Sequence, residues 1–303
     1  MRKELLPHLE TFAKAAELSS FTAAARVLGM SQPAVSLHVQ ALERSLESPL
    51  FNRQGGHILL TEAGQCLYGY AQQILNLHEE ARRKITGRKE KLAGELFLAA
   101  SSIPGEHHLP ALLARFRQQQ PHIQIRVTIS DSAAVLALVE QGKAQLGLVG
   151  KKSPNPALDY RGFARDRMVL VVPAEHPWAR RKQVALPQLL ETPLIVREAG
   201  SGSRECFEQA LVRAGKSLAD CQIALELGSN EAIKEMVLRG EGLAVLSNQA
   251  VDREVKAGKL RALKIADLAL EREMYVVWDK RRVLSLPAQL FLDFLQAAPE
   301  MGH

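Results

Sequence analysis

Apolar residues change their spacing once along this chain, near Gly94, and that change limits the folds open to it. Before Gly94 they return every three or four positions, the period of an amphipathic helix. After it, short apolar runs alternate with helical stretches, the rhythm of an α/β fold. A helical N-terminal third followed by an α/β remainder is the only simple division that satisfies both patterns. A length of 303 residues is enough to give each part its own core.

In the first third, Leu5, Leu9, Phe12 and Ala16 fall on one face of a helix. A second, shorter helix turns Phe21, Ala24, Ala25 and Leu28 inward and ends at Gly29, whose access to positive φ suits a tight reversal. Ser31 is the expected N-cap of a third helix. Pro33 sits in its first turn, where a missing N–H costs nothing. Val35, Val39, Leu42 and Leu46 form the inward stripe, which leaves Gln32, Ser36, His38 and Gln40 to face outward. Two short helices about a Gly-containing turn, the second polar at its start, meet the geometry of major-groove reading. Gln can pair with N6 and N7 of adenine, and Ser can serve bases or phosphates. The same periodicity also fits an ordinary pair of helices with one solvated face.

Charge does not decide between these readings. The formal net charge of +6 suggests a polyanionic partner, yet residues 1–76 hold six Lys or Arg against six Glu. The concentrated basic run, Arg82, Arg83, Lys84, Arg88, Lys89 and Lys91, suits a solvated helix end as well as a nucleic-acid site. Ahead of that run, Thr61 is an expected N-cap. From it Ala63, Leu67, Tyr70, Ile74, Leu77, Ala81 and Ile85 step by fours and threes, the pattern of a coiled-coil seam. Pairing two copies would bury that stripe and place two reading helices on one duplex, so self-association as a homodimer is expected.

Several functional classes find no support in the residues. No stretch has the ~18 uninterrupted apolar residues of a membrane span, and the start Met1-Arg-Lys-Glu4 runs into an amphipathic helix, so a cytoplasmic protein without a membrane partner is expected. Cys66, Cys206 and Cys221 are scattered without metal-ligand spacing, so reduced thiols, no metal and no cofactor are expected. Ser101, Ser201, Cys206 and several His could act as nucleophiles or bases. Even so, there is no G-x-S-x-G elbow, H-E-x-x-H pair or G-x-x-x-x-G-K-[ST] loop, and Gly200 with Gly202 lacks the last glycine of a dinucleotide fingerprint. Catalysis is therefore not expected.

Beyond Gly94 the pattern reads as strand 95–100, helix 109–119, strand 123–129, helix 133–141 and strand 146–149. A second cycle follows with strands 168–172 and 194–196, helix 204–214, strand 223–227, helix 231–239 and strand 243–246. Strand 274–278 and helix 287–297 then return to the first lobe. Parallel strands are expected from this alternation. Ligands of such folds gather at strand carboxyl ends beside helix N-termini. Three corners there are rich in small polar groups: Ser101-Ser-Ile-Pro-Gly105, Arg197-Glu-Ala-Gly-Ser-Gly-Ser-Arg204 and Gly228-Ser-Asn-Glu-Ala232. Ser101, Ser102, Arg197, Ser201, Gly202, Ser203 and Asn230 are the candidate ligand contacts, although simple helix capping explains such corners too.

The segment Phe21-Thr-Ala-Ala-Ala-Arg-Val-Leu-Gly-Met-Ser-Gln-Pro-Ala-Val-Ser-Leu-His-Val-Gln-Ala-Leu-Glu43, with Pro49-Leu-Phe-Asn-Arg53 and Leu60-Thr-Glu-Ala-Gly64, strongly resembles the DNA-binding domain of LysR-type transcriptional regulators. The resemblance implies a winged helix-turn-helix in residues 1–60, a dimerising linker helix in 61–90, and a two-lobed, periplasmic-binding-protein-like α/β effector domain in 91–303. Lobe I would hold about 91–163 and 268–303, and lobe II about 164–267. It places Gln32 and Ser36 at bases, Thr22 and Ser31 near phosphates and Arg53 in the wing, with Pro33, His38 and Gln40 on the same surface. At His38 many relatives carry a longer polar or cationic side chain. The implied partners are double-stranded operator DNA, a small effector between the lobes, a second copy or a tetramer, and RNA polymerase. The three corners are similar to branches that sense small anions in carbon fixation or sulfur-oxyanion metabolism. Gly150 stands where some of those relatives have a hydroxyl residue. A two-lobed solute-binding protein without a DNA role is the alternative reading.

Overall fold

A computed structural model describes residues 5–54, 57–86, 94–282 and 284–297. It forms two compact units, the first built on the elements before Gly94 and the second on the strands and helices that follow.

The first unit contains α1 (Leu5–Leu18), α2 (Phe21–Leu28), α3 (Gln32–Ser45), the antiparallel pair β1 (Phe51–Gln54) and β2 (His57–Leu60), and α4 (Glu62–Thr86). Local capping fixes the helix starts. The Ser20 hydroxyl accepts from the Ala23 N–H at 3.2 Å, and Ser31 accepts from Ala34 at 3.3 Å. Gly29 closes α2 at φ 64°, as its place in the turn predicts. Leu9, Phe12, Ala15, Phe21, Ala24, Val35, Val39 and Leu42 then meet in one core. At its centre Phe51 receives the rings of Phe12 and Phe21, with centroids 5.4 and 5.3 Å away. Glu43 ties α3 to this hairpin by accepting from the Leu50 N–H at 2.8 Å.

The Thr61 hydroxyl donates to the Pro49 carbonyl at 2.6 Å and accepts from the Gly64 N–H at 3.0 Å, so it caps α4 as expected. Any side chain at Gly64 would strike the Leu50 carbonyl, and the glycine lets α4 sit directly on the wing. Helix α4 carries two apolar faces. Ala63, Leu67, Tyr68, Ala71 and Leu75 pack into the core of their own unit. Tyr70, Ile74 and Leu77 are 53%, 41% and 66% exposed, so the expected seam begins inside the head and emerges along the stalk. The side chains of Ala81, Ile85 and the basic run lie outside the described residues.

In the second unit the order is β3 (Gly94–Ser101), a wide helical turn at Pro104–His108, α5 (Leu109–Gln119), β4 (Ile123–Ser130), α6 (Ser132–Glu140), β5 (Leu146–Val149) and β6 (Leu158–Pro173). Next come β7 (Gln183–Val184), α7 (Leu186–Leu190), β8 (Leu194–Arg197), α8 (Gly202–Arg213), β9 (Ile223–Leu227), α9 (Asn230–Leu238) and β10 (Leu243–Ser247). The unit ends with α10 (Asn248–Lys256), β11 (Leu260–Ile265), β12 (Glu271–Asp279) and α11 (Leu286–Ala297).

Strand β3 runs parallel to β4 and β5, and β8 runs parallel to β9 and β10, which gives each lobe a parallel centre. The sheet as a whole is mixed, a departure from the all-parallel expectation. Strand β6 pairs antiparallel with β12 from Leu158 to Arg167, then continues antiparallel against β10 and β11 from Met168 to Pro173. One long strand therefore belongs to both lobes. Its second half is buried on both faces and reads as an apolar run, whereas Asp159, Gly162, Arg165 and Arg167 expose the first half and hide it from the same pattern. In lobe I, Val135, Val139, Val149 and Val277 pack together. In lobe II, Met168, Leu170, Val172, Leu194, Phe207 and Leu263 fill one side of the sheet, and Val169, Val171, Ile195, Ile233 and Val237 the other.

Candidate functional site

Helix α3 presents its expected outward face only in part. Gln32 and Pro33 are exposed and Ser36 is half-buried, and the Gln32 amide donates to the Ser36 hydroxyl at 3.3 Å. This pair is one polar patch near the helix start, where it can enter a groove. Thr22, at the start of α2, is exposed, and Ser31 is exposed although its oxygen serves as the cap. Half-buried Gln40 lies further along, in a groove with Glu43, Arg44, Glu47, Ser48 and Pro49. His38 departs from expectation. Its Nδ1 lies 2.9 Å from the hydroxyl of buried Thr11, and its ring meets that of His8 at a tilt with 4.4 Å between centroids, so it is turned toward α1. The cause is periodicity: position 38 lies between the inward stripe of Val35 and Val39 and the outward one, within reach of α1. Arg53 lies in β1 opposite Ile58, and its side chain is outside the described residues.

In the second unit a cleft of about 230 Å³, its mouth included, opens between the lobes. Ser101, Ser102, Ile103, Asp131, Ser132, Arg197, Ser201, Gly202, Ser203 and Arg272 line it, so six of the seven expected contacts are brought together. Three helical starts converge there. Ser102 opens the helical stretch that leads into α5, Ser132 opens α6 behind its cap Asp131, and Gly202 opens α8 behind its cap Ser201. Each start carries partial positive charge, although caps already occupy part of the first turns: Asp131 accepts from the Ala133 and Ala134 N–H groups, and Ser201 from that of Ser203. A side chain at Gly202 would lie 3.0 Å from the Ser132 hydroxyl, so the starts of α6 and α8 are almost in contact. Asn230, the seventh residue, is not in the lining. It acts through Arg197, whose Nη1 donates to its Oδ1 at 2.7 Å.

Two guanidinium groups serve the cleft differently. Arg197 is buried and fully engaged: Nε and Nη2 each donate to the Glu198 carboxylate at 2.7 Å, and Nη2 reaches the Ser102 hydroxyl across the lobes at 3.4 Å. Arg272 was not singled out by the sequence. It stands on β12 directly opposite Asp166 on β6 and donates to that carboxylate from Nε at 2.9 Å and Nη2 at 2.8 Å. Nη2 also reaches the Ser203 hydroxyl at 3.2 Å, and Ser247 donates to the other Asp166 oxygen at 2.6 Å. The Arg272 side chain is 8% exposed, and its Nη1 has no hydrogen-bond partner among the described residues. Nη1 lies 3.1 Å from where a Cβ on Gly150 would be. The space that a hydroxyl side chain would take at Gly150 is thus filled by arginine. Asp131, Ser132 and Asp166 were missed as well. Asp131-Ser132 reads as an ordinary cap, and nothing in local spacing announces a pair 106 residues apart.

Neighbouring groups stay neutral or locked. Burial pushes the pKa of His108 below its usual value, with Asp166 opposing and His107 reinforcing the shift, and burial lowers His107 likewise. Burial raises the Cys206 thiol above its usual value and so keeps it from being a ready nucleophile. Burial disfavours charge on Lys234, but its hydrogen bonds to Glu231 and Glu254 outweigh this and raise its pKa, tying α9 to α10. Among the described residues no group of three metal-ligating side chains forms, and no helix is long and apolar enough to cross a membrane.

Known proteins resemble both units of the chain. Residues 6–65 match the family described as bacterial regulatory helix-turn-helix protein, lysR family, and residues 89–300 match the LysR substrate binding domain. The transcriptional activator CmpR of Synechocystis is 32% identical over 99% of this chain and 97% of that protein. The regulator CysL of Bacillus subtilis is also 32% identical, over 95% of this chain and 96% of its own length. Among solved structures, the Synechocystis CcmR regulatory domain in complex with 2-PG is 29% identical and superposes with a TM-score of 0.62, covering 67% of this chain and 96% of that one. The chain belongs to the LysR family of transcriptional regulators. It is a DNA-binding regulator with a two-lobed effector-binding domain, whose partners are operator DNA and a small molecule.

Proposed function

We propose that this regulator reads its operator with Gln32 and Ser36 in the major groove, positioned by Thr22, Ser31 and the wing residue Arg53 at phosphates, and that its effector is a small oxyanion bound between the lobes. The observation that carries the effector reading is Nη1 of half-buried Arg272, which has no hydrogen-bond partner among the described residues, in a cleft lined by serine hydroxyls and helix starts, where the Asp131 carboxylate caps α6. Donors converge there from both lobes. The similar CcmR domain, solved with 2-PG, supports an anion of that kind. Ser101, Ser102, Ser132 and Ser203 would hold the oxyanion beside Arg272. Arg197, spent on Glu198 and Asn230, would hold the walls.

Ligand binding between lobes changes their preferred closure, and only differential affinity for the two states can pass that change on. The protein acts in the cytoplasm as a homodimer or homotetramer joined along α4, with RNA polymerase as the partner that registers the altered operator complex. Binding, not a covalent step, is its chemistry. The test is operator affinity and footprint for the full-length protein, with 2-PG, phosphate and sulfate as probes. One of them should shift operator affinity by about 5–150-fold and protect the fold against heat, and Ser132→Ala should weaken both effects. Gln32→Ala and Ser36→Ala should each lower discrimination against the wrong base by about 1–3 kcal/mol. No response to any oxyanion would remove the effector assignment, and unaltered base preference in both helix variants would remove the DNA face.

A further inference from the structure

Helix α3 carries an apolar row beside its polar one. Val35, Val39 and Leu42 are buried at 0%, 0% and 3% exposure, as core residues should be, but Leu37 is 57% exposed and Pro33, one turn earlier, is exposed too. A lone exposed leucine would ordinarily mean nothing. Leu37, however, directly follows Ser36 and stands on the same face as Pro33, alongside the hydrogen-bonded Gln32–Ser36 pair. Residues 33 and 37 thus form an apolar ridge continuous with the polar patch of a DNA-reading helix. Self-association does not call on this ridge, because α4 offers Tyr70, Ile74 and Leu77 for that purpose.

In the major groove thymine presents a C5-methyl group, and an aliphatic side chain can recognise it by contact alone. Leucine has no donor or acceptor, so it can tell thymine from other bases only through that methyl. On the reading that α3 enters the major groove, we propose that Leu37, flanked by Pro33, recognises a thymine methyl in each half-site. That thymine adjoins the base pair met by Gln32 and Ser36. Gln32 supplies directional hydrogen bonding and Leu37 supplies methyl contact, so the two rows read neighbouring positions by different physics.

The test begins with an operator selected from random duplex DNA by the full-length protein. Each thymine is then replaced singly by deoxyuridine, which lacks only the methyl. For the wild type, one such replacement per half-site lowers affinity about four-fold, the worth of one buried methyl. Leu37→Ala binds the thymine and deoxyuridine duplexes equally at that position, and Leu37→Met keeps the preference. The exposed site leaves folding intact, which an unchanged thermal midpoint verifies. Wild-type indifference to every replacement overturns the proposal, as does an undiminished four-fold loss in Leu37→Ala. Gln32→Ala separates the two failures. If it alone loses base preference, α3 remains the reading helix and Leu37 has no part in reading; if neither variant does, the whole face is wrongly assigned.

Discussion

Arg272 illustrates how one residue can hold a site together and still offer a contact to a ligand. Two of its nitrogens are committed to Asp166, which Ser247 also holds, and the third points toward the space left by Gly150 and Gly202. Removing one member of a buried ion pair leaves the other desolvated and uncompensated. Arg272→Ala should therefore lower unfolding stability by about 3–5 kcal/mol in denaturant titration. A loss near zero would mean that solvent or Ser247 already satisfies Asp166. The serines of the cleft could be found in the sequence because they cluster in short corners after strands. Arg272 could not be, being one cation among 39 Lys and Arg with nothing local to mark it. His38 gives the opposite lesson: helical periodicity allowed it an outward place, and the Thr11 hydroxyl with the His8 ring drew it to α1.

Among the elements, the wide turn Pro104–His108 at the head of α5 brings His108 into the interior, where its ring meets Phe163 edge-on and its Nε2 lies buried without a partner among the described residues. Wider helical turns of this kind often accompany functional sites, and here the turn follows the cleft residues Ser101 and Ser102. A proton on Nε2 would be a buried donor with no acceptor, in line with the lowered pKa. The unfolded chain then binds more protons than the folded one once pH drops through the unfolded value near 6.5. Stability is fully present above that value and is lost as pH falls below it. The thermal midpoint should fall between pH 7.5 and 6, roughly the window set by free histidine, and His108→Gln should flatten that dependence. An equal slope in the variant would place the proton uptake elsewhere, His107 being the first alternative. The turn itself was not read from the sequence, nor were α10 and β11, although α10 is amphipathic with Ala250 and Val251 buried.

At the scale of the whole molecule, the proposed assembly rests on the second apolar face of α4. One face is spent on the head, and the other leaves Tyr70, Ile74 and Leu77 open along the stalk. A stripe of that kind on a charged helix is stabilised by a matching copy. Light scattering at micromolar concentration should report a dimer or tetramer, and Leu77→Glu should shift it toward monomer and weaken operator binding through lost bivalency. A wild-type protein that is monomeric under those conditions would contradict the assembly.

The sequence by itself determined which segments are helix or strand wherever apolar residues repeat at one period. It also determined the caps at Ser31 and Thr61, the reversal at Gly29 and the serine corners of the cleft, because each depends on residues a few positions apart. Only the tertiary structure decided that β6 serves both lobes, that Arg272 meets Asp166 across the cleft floor, that α6 rather than Asn230 completes the lining, and that His38 turns inward. Those outcomes join residues far apart in the chain, and their energies exist only once folding has brought the partners out of water and into contact.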